Sequence, residues 1–179
     1  MTILPTLTVE LESWSEDCDD CGSYWSQQAL VRFADGRLLA AVHDGHLGMG
    51  NWSGEYVELL SWILASLGYE ATVDGECPLD ITTTYVPLEG TLATATPGAP
   101  LARIAVTWDT RVSARADCFE YTVAVRASWQ SLAGETRTLD FENGGDDLSE
   151  EEAWERVLDA LIRERAQVEV HAKPGYRPA

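Results

Sequence analysis

Two closely spaced pairs of side chains near the N-terminus could bind a metal ion. They are Cys18 with Cys21 and His43 with His46, and two residues separate the members of each pair. This spacing lets both side chains of a pair reach one ion from a turn, and four sulfur and nitrogen ligands complete a tetrahedral zinc site. The pattern therefore predicts one structural zinc bound by all four residues. The alternative is a protein without a cofactor, in which the cysteines are reduced thiols that bind no metal.

The same side chains could also form a nucleophile and a base. Either cysteine could attack a substrate after losing its proton to His43 or His46, with Asp44 orienting the imidazole. However, acidic residues lie beside both cysteines in the sequence and favour the neutral thiol over the thiolate. The sequence therefore favours a protein that is not an enzyme. The alternative zinc-stabilised domain could exist with or without hydrolytic activity.

Acidic residues dominate the charge of the chain. Thirty Asp and Glu against 12 Lys and Arg give a formal net charge of −18. Segments 10–20 and 140–155 contain six and eight acidic residues and no Lys or Arg. These segments predict a partner-binding surface. Its predicted residues are Glu10, Glu12, Glu16, Asp17, Asp19, Asp20, Asp140, Glu142, Asp146, Asp147, Glu150 and Glu151.

This charge restricts the partners that the protein can bind. A strongly acidic chain is repelled by nucleic acid and by anionic membranes, so we expect it to bind neither directly. The expected partner is a basic protein surface, such as that of a nucleic-acid-binding protein. Carboxylates on a rigid fold could occupy the Arg and Lys side chains that otherwise contact phosphates. The sequence thus favours a non-enzymatic inhibitor that mimics DNA, of the anti-restriction, anti-CRISPR or immunity type. A zinc-stabilised domain is the alternative function, and solubility is the alternative reason for the acidity.

The sequence also indicates where the protein is found. The N-terminal residues lack the basic and apolar pattern of a secretory signal, and no apolar run approaches the length of a membrane span. We therefore expect a cytoplasmic protein. In that compartment its four cysteines are expected to be thiols or metal ligands, since disulfides are rare there.

Apolar periodicity predicts an α+β fold. Two amphipathic helices are expected at about 53–67 and about 150–165, where apolar residues follow helical spacing. The expected architecture is one antiparallel sheet of about six to eight strands, including one at Leu79–Val86, with both helices packed on one face. No internal repeat is apparent. We expect a single domain of residues 1–179, in which residues 168–179 add a short strand or form a loose tail.

A β-hairpin is predicted around Asp35 and Gly36. Asp-Gly is typical of two-residue hairpin turns, because both positions then need positive φ angles. In this register Phe33 lies beside Leu38. His43 then lies on the face opposite to the apolar side chains.

Overall fold

The computed structural model describes residues 3–20, 22–47, 52–74, 102–114, 121–143 and 150–176. In these ranges the chain is α+β and consists mostly of strand. The strands are β1 (Thr6–Cys18), β2 (Gly22–Phe33), β3 (Leu38–His43), β4 (Tyr69–Asp74), β5 (Ala102–Ala114), β6 (Tyr121–Gln130), β7 (Thr136–Asn143) and β8 (Gln167–Ala172). The helices are α1 (Trp52–Ser66) and α2 (Glu150–Arg163), and a 3-10 turn spans Gly45–Leu47. The strand predicted at Leu79–Val86 lies outside the described residues.

The described strands form two four-stranded sheets. The first sheet has the order β3-β2-β1-β8, and the second has the order β4-β5-β6-β7. The prediction of a single antiparallel sheet was therefore wrong. Each sheet also contains one parallel pair, β1 with β8 and β4 with β5. Alternating apolar residues indicate which side chains face the core, but they do not indicate which strand lies alongside.

Among the described residues, the strands and α-helices of the two halves follow the same order. The first is β1-β2-β3-α1-β4 and the second is β5-β6-β7-α2-β8. The β2–β3 turn contains Gly36 with a φ of 87°, and the corresponding β6–β7 turn contains Gly134 with a φ of 79°. The two glycines are 98 positions apart. Tyr69 and Gln167, which begin β4 and β8, are also 98 positions apart. The last strand of each half pairs with the first strand of the other half, so the two sheets exchange strands.

Both helices are confirmed near their predicted positions. In α2, Val157 and Leu158 are buried, and Trp154 packs edge-on against Trp108 of β5 at 5.4 Å between ring centroids. α1 packs against α2, β3 and β4, so it contacts both sheets. No helix in the described ranges has the length and apolar composition needed to cross a membrane.

One apolar core connects the sheets and the helices. It is built from the inward-facing residues of the strands and from one stripe of each helix. Its fully buried side chains include Leu7, Val31, Leu59, Ile63, Leu64, Val106, Val125, Val157 and Leu161. After α2 the chain returns along the edge of the first sheet, where the amide of Lys173 donates to the carbonyl oxygen of Leu11.

The β2–β3 turn is one residue longer than predicted. The amide of Phe33 donates to the carbonyl oxygen of Arg37 (3.0 Å). The amide of Gly36 donates to the carbonyl oxygen of Phe33 (2.9 Å). This pattern is a three-residue loop in which Gly36, with a φ of 87°, forms the closing bulge. The predicted two-residue turn was therefore wrong.

The longer turn shifts the pairing of β3 by one residue and exchanges its two faces. Val31 pairs with Leu39, and Leu38 lies beside Arg32 on the face away from the core. Leu38 is 47% exposed, whereas Leu39 is buried. His43 shares the inner face with Leu39, which corrects its predicted position opposite the apolar side chains.

A half-buried carboxyl group in α2 lowers the stability of the fold at neutral pH. Burial raises the pKa of Glu155 above its ordinary value of 4.5, and the charges of Asp159 and Glu152 raise it further. A carboxyl group whose pKa is higher in the folded state than in the unfolded state destabilises the fold at a pH above both pKa values. This destabilisation disappears when the pH falls below the pKa of the group in the unfolded state. We expect Glu155→Gln to raise the melting temperature at about pH 7 and to have no such effect near pH 4. Circular dichroism melts check this, with Glu58→Gln on the exposed side of α1 as the control of equal charge. A rise of the same size in the control would contradict the assignment to Glu155.

Candidate functional site at the hairpin end of the first sheet

The candidate site lies where β1 and β2 are joined, and we call it the hairpin end (residues 16–20, 22–25 and 44–46). β1 pairs with β2 as far as Cys18 and Gly22, and the 3-10 turn packs against this ribbon. The amide of Gly45 donates to the hydroxyl of Ser26 at 3.3 Å. A Cβ atom at Gly45 would lie 1.9 Å from the carbonyl oxygen of Trp25. Only glycine therefore lets the turn lie this close to β2.

This packing brings one predicted cysteine and one predicted histidine together. The Nε2 atom of His46 lies 3.2 Å from the Sγ atom of Cys18. The ring of Tyr24 lies against that of His46, with centroids 4.8 Å apart. The hydrogen bond with Cys18 raises the pKa of His46, and the negative charges of Asp44 and Glu16 act in the same direction. A thiol and an imidazole at this distance can bind a soft metal ion or exchange a proton.

The other predicted histidine has a different partner. The Nδ1 atom of His43 lies 3.4 Å from Oε1 of Glu55, between β3 and α1, and the His43 side chain is only 14% exposed. Burial raises the pKa of Glu55, while His43 opposes this shift. His43 is therefore part of the contact between the first sheet and α1 and does not contact the Cys18–His46 pair.

Two of the four predicted zinc ligands contact each other in the described part of the chain. Cys18 and His46 are in contact, His43 pairs with Glu55, and Cys21 lies outside the described residues. Among the described residues, no group of three or more His, Cys, Asp or Glu side chains is placed to hold a metal ion. The four-ligand zinc site stays a prediction.

Asp44 contacts the turn instead of the imidazole ring. Its Oδ1 atom accepts a hydrogen bond from the backbone amide of His46 at 2.9 Å. This is an Asx-type contact that fixes the start of the 3-10 turn. Asp44 thus positions His46 through its backbone amide. In the predicted catalytic role, the carboxylate of Asp44 would instead orient the imidazole ring.

Exposed carboxylates lie at the same end of the sheet as the Cys18–His46 pair. The hydroxyl of Tyr24 donates to Glu16 at 2.5 Å, and that of Ser23 donates to Asp17 at 2.6 Å. The bond to Glu16 raises the pKa of Tyr24 to about 12. Because both donors are neutral, these contacts leave the negative charges uncompensated. Asp19 and Asp20 are also exposed at this end.

The fold adds to the hairpin end one carboxylate, Asp44, that was not among the predicted partner-binding residues. Asp44 is exposed and close enough to Tyr24 and His46 to affect the pKa of both. It lies far from segment 10–20 in the sequence, so only the packing of the 3-10 turn on β2 reveals the association.

Other predicted partner-binding residues are already paired with basic side chains. The sheet places bases opposite them from neighbouring strands, although their own segments contain none. The pairs are Glu10 with Arg32 (3.2 Å), Glu12 with Lys173 (2.5 Å) and Asp140 with Arg126 (2.5 Å). These three carboxylates therefore carry less uncompensated charge than those of the hairpin end.

The remaining predicted residues lie around the start of α2. Glu150 and Glu151 are half-buried in its first turn, where the helix dipole stabilises negative charge. The side chain of Glu142, and Asp146 and Asp147 entirely, lie outside the described residues.

Comparisons of the chain with protein-family models, with curated proteins and with solved structures found no match. Function is therefore inferred from the charges and contacts of the hairpin end.

Proposed function

We propose that this chain is a small non-enzymatic interaction protein that binds a basic surface of a partner protein through the hairpin end. One observation carries the proposal: five exposed carboxylates gather there, and the contacts of two of them are with neutral hydroxyl groups. These residues are Glu16, Asp17, Asp19, Asp20 and Asp44.

Several features of the hairpin end support this function. Like charges held together in the folded state repel one another, so such a cluster is expected to bring a benefit in binding. The carboxylates lie on a paired β-ribbon and a glycine-fixed turn, which restricts their positions before binding. A preorganised array of negative charge is complementary to a cluster of Arg and Lys side chains.

The partner that fits best is a protein whose basic surface otherwise binds nucleic acid. The exposed carboxylates would take the place of phosphate groups opposite its Arg and Lys side chains. Inhibitors of the anti-restriction, anti-CRISPR or immunity type work on this principle, and the acidic composition of the whole chain suits it.

A salt-dependent binding experiment tests the proposal. The probe is a fluorescein-labelled deca-lysine peptide, and its affinity for the full chain is measured by fluorescence anisotropy over a range of salt concentrations. Exchanging Glu16, Asp17, Asp19 and Asp20 for Gln or Asn should weaken binding about tenfold, because each exposed ion pair contributes about 0.2–1 kcal/mol. The dependence on salt should also become less steep, since exposed charges are screened over about 8 Å at physiological ionic strength.

The control variant has the same net charge but changes acids elsewhere. It replaces Glu58, Glu70, Glu135 and Glu169, all exposed, with Gln. Equal losses of affinity in the two variants would show that only total charge matters and would refute a site at the hairpin end. A third variant, with Glu150, Glu151 and Glu152 changed to Gln, tests whether the second acidic segment belongs to the same surface.

A second candidate function is favoured by the contact between Cys18 and His46. A zinc-stabilised domain would use the predicted ligands Cys18, Cys21, His43 and His46. Cys18 and His46 are already in contact, whereas His43 contacts Glu55. Elemental analysis of the purified protein separates the two functions. About one equivalent of zinc per chain, lost together with stability on chelation, would support the second function.

A further inference from the structure

Polar side chains end the apolar inner face of the first sheet on the side of the hairpin end. On this face Ala29 and Ala41 form a buried pair, and the next inward pair towards the hairpin end is Gln27 with His43. Glu55, in the first turn of α1, lies against this pair, with Oε1 at 3.4 Å from Nδ1 of His43. We call the amide, the imidazole and the carboxylate of these three residues the polar cluster.

Two oxygen atoms of the polar cluster lack a hydrogen-bond donor. Among the described residues, Oε1 of Gln27 and Oε2 of Glu55 are buried and have no hydrogen-bond partner. The 3.4 Å contact of the other carboxylate oxygen with His43 is longer than most N–H···O hydrogen bonds. Buried acceptors without donors destabilise a fold, so a donor group is expected to bind them.

The second half of the chain has apolar residues at the same positions. The residues 98 positions after the three polar ones are all buried, and they are Val125, Phe141 and Ala153. Val125 pairs with Phe141 just as Gln27 pairs with His43. The architecture can therefore be completed without polar side chains at this level, and the first half keeps them at a cost in stability. Residues that break the packing rules of a fold at such a cost are typical of binding sites.

The polar cluster reaches the surface beside the hairpin end. The side chains of His43 and Glu55 are 14% and 18% exposed, and His43 directly precedes Asp44 of the hairpin end. Trp25, also of the hairpin end, lies two residues from Gln27 on β2 and therefore on the same face, and it is 41% exposed. Carboxylate and carbonyl oxygens accept hydrogen bonds from a guanidinium, and an aromatic ring stacks on its plane.

Arginine fits the polar cluster better than lysine. A guanidinium holds five N–H donors in one plane, so a single group can donate to both Gln27 and Glu55. A guanidinium is also less strongly hydrated than an ammonium, which lowers the cost of burying it.

We propose that the polar cluster binds the guanidinium of one arginine of the basic partner, which replaces His43 beside Glu55 and donates to the side-chain oxygen of Gln27. This inference rests on the proposed function, because the carboxylates of the hairpin end bring the basic surface to the adjacent part of the molecule. It adds a preference for arginine to a surface that otherwise recognises positive charge.

The test compares two fluorescein-labelled peptides, deca-lysine and the same peptide with arginine at one central position. Their affinities for the full chain are measured by fluorescence anisotropy. The arginine peptide should bind about tenfold more tightly, because its guanidinium forms charge-assisted hydrogen bonds away from water.

A triple variant gives the first half the apolar residues of the second. Gln27→Val, His43→Phe, Glu55→Ala should lose the preference for the arginine peptide and should melt at a higher temperature, because it removes buried polar groups that lack partners. Its affinity for deca-lysine should stay within about twofold of the wild type, because the hairpin end is unchanged and one carboxylate contributes little to exposed ion pairing. Retained deca-lysine binding also shows that the variant is folded.

Two single variants of α1 complete the comparison. Glu55→Gln removes the charge of the polar cluster but keeps its shape, and it should lose most of the arginine preference. Glu58→Gln removes an exposed charge from the same helix and should keep the preference.

Each other outcome has a distinct meaning. If the wild type shows no preference, or if the triple variant and Glu55→Gln keep it, the inference is overturned, while salt-dependent deca-lysine binding at the hairpin end still supports the proposed function. If deca-lysine binding depends neither on salt nor on the acids of the hairpin end, the proposed function itself fails. Tight binding of free L-argininamide, with no gain from the arginine peptide, would identify a small guanidinium compound as the ligand and overturn the partner's side chain as the occupant.

Discussion

Leu161→Ala is expected to lower the free energy of unfolding by about 2–5 kcal/mol. Leu161 has no exposed surface and lies on the apolar stripe of α2, within the core that connects both sheets. The substitution removes buried methyl and methylene groups and leaves a cavity that the surrounding strands and helices can fill only in part. Urea denaturation followed by tryptophan fluorescence measures the change, and the protein contains seven tryptophans.

Leu132→Ala is the matched control for this prediction. Leu132 lies in the turn between β6 and β7 and is 59% exposed, so its truncation should change the unfolding free energy by no more than about 0.5 kcal/mol. Similar denaturation midpoints for the two variants would mean that Leu161 is not in a closely packed core.

Gly45→Ala should have the largest effect on the candidate site. Its Cβ atom would lie 1.9 Å from a backbone oxygen of Trp25, so no side-chain rotation can relieve the contact and the 3-10 turn must move away from β2. We expect a loss of about 1–3 kcal/mol in stability, as for other overpacked sites. The His46–Cys18 contact should also be lost, and the pKa of His46 should fall towards its ordinary value of 6.5 because that contact raises it. NMR titration of the His46 ring measures this shift.

Gly36→Ala separates the loss of stability from the loss of the site. Gly36 has a φ of 87° with no atom within 4 Å of an added Cβ, so alanine there is strained by its backbone angle alone. This variant should be less stable than the wild type and should keep the raised pKa of His46. An unchanged His46 titration in Gly45→Ala would show that the turn can hold His46 without close packing on Trp25.

The helices could be predicted because each has one apolar stripe with a regular period. Trp52–Ser66 and Glu150–Arg163 bury residues at helical spacing, and Gly68 ends the first with a positive φ of 89°. Such patterns involve only residues that are close together in the sequence, so they can be recognised without knowing the tertiary contacts. The pairing of β8 with β1 could not be predicted in the same way, because it joins the two ends of the chain and has no local signal.

The register of β3 could not be predicted because both of its faces are apolar. Leu38, Ala40 and Val42 form one face, and Leu39 and Ala41 form the other. A shift of one residue exchanges the two faces but still buries an apolar face against the core. The length of the turn therefore decides between the two registers. The sequence does not distinguish a two-residue Asp-Gly turn from a three-residue turn with Gly36 as the bulge.

The same shift explains why the candidate site was predicted only in part. Moving β3 by one residue directs His43 towards α1 and Glu55, whereas His46 follows the 3-10 turn to Cys18. Ligand spacing in the sequence grouped Cys18 with His46 in one predicted zinc site, and the two side chains are in contact. It could not show that two histidines three positions apart end on different sides of a sheet.

The exchange of strands between the two halves determines when the protein can fold during its synthesis. β1 is made well before its parallel partner β8, because Thr6 pairs with Gln167 and 161 positions (167 − 6) separate them. Until then β1 has one unpaired edge, and β4 must likewise wait for β5. Contacts between such distant residues slow folding, and unpaired strand edges expose the nascent chain to aggregation. Each described sheet takes three strands from one half and one strand from the other, so the first sheet is complete only after β8 has been made.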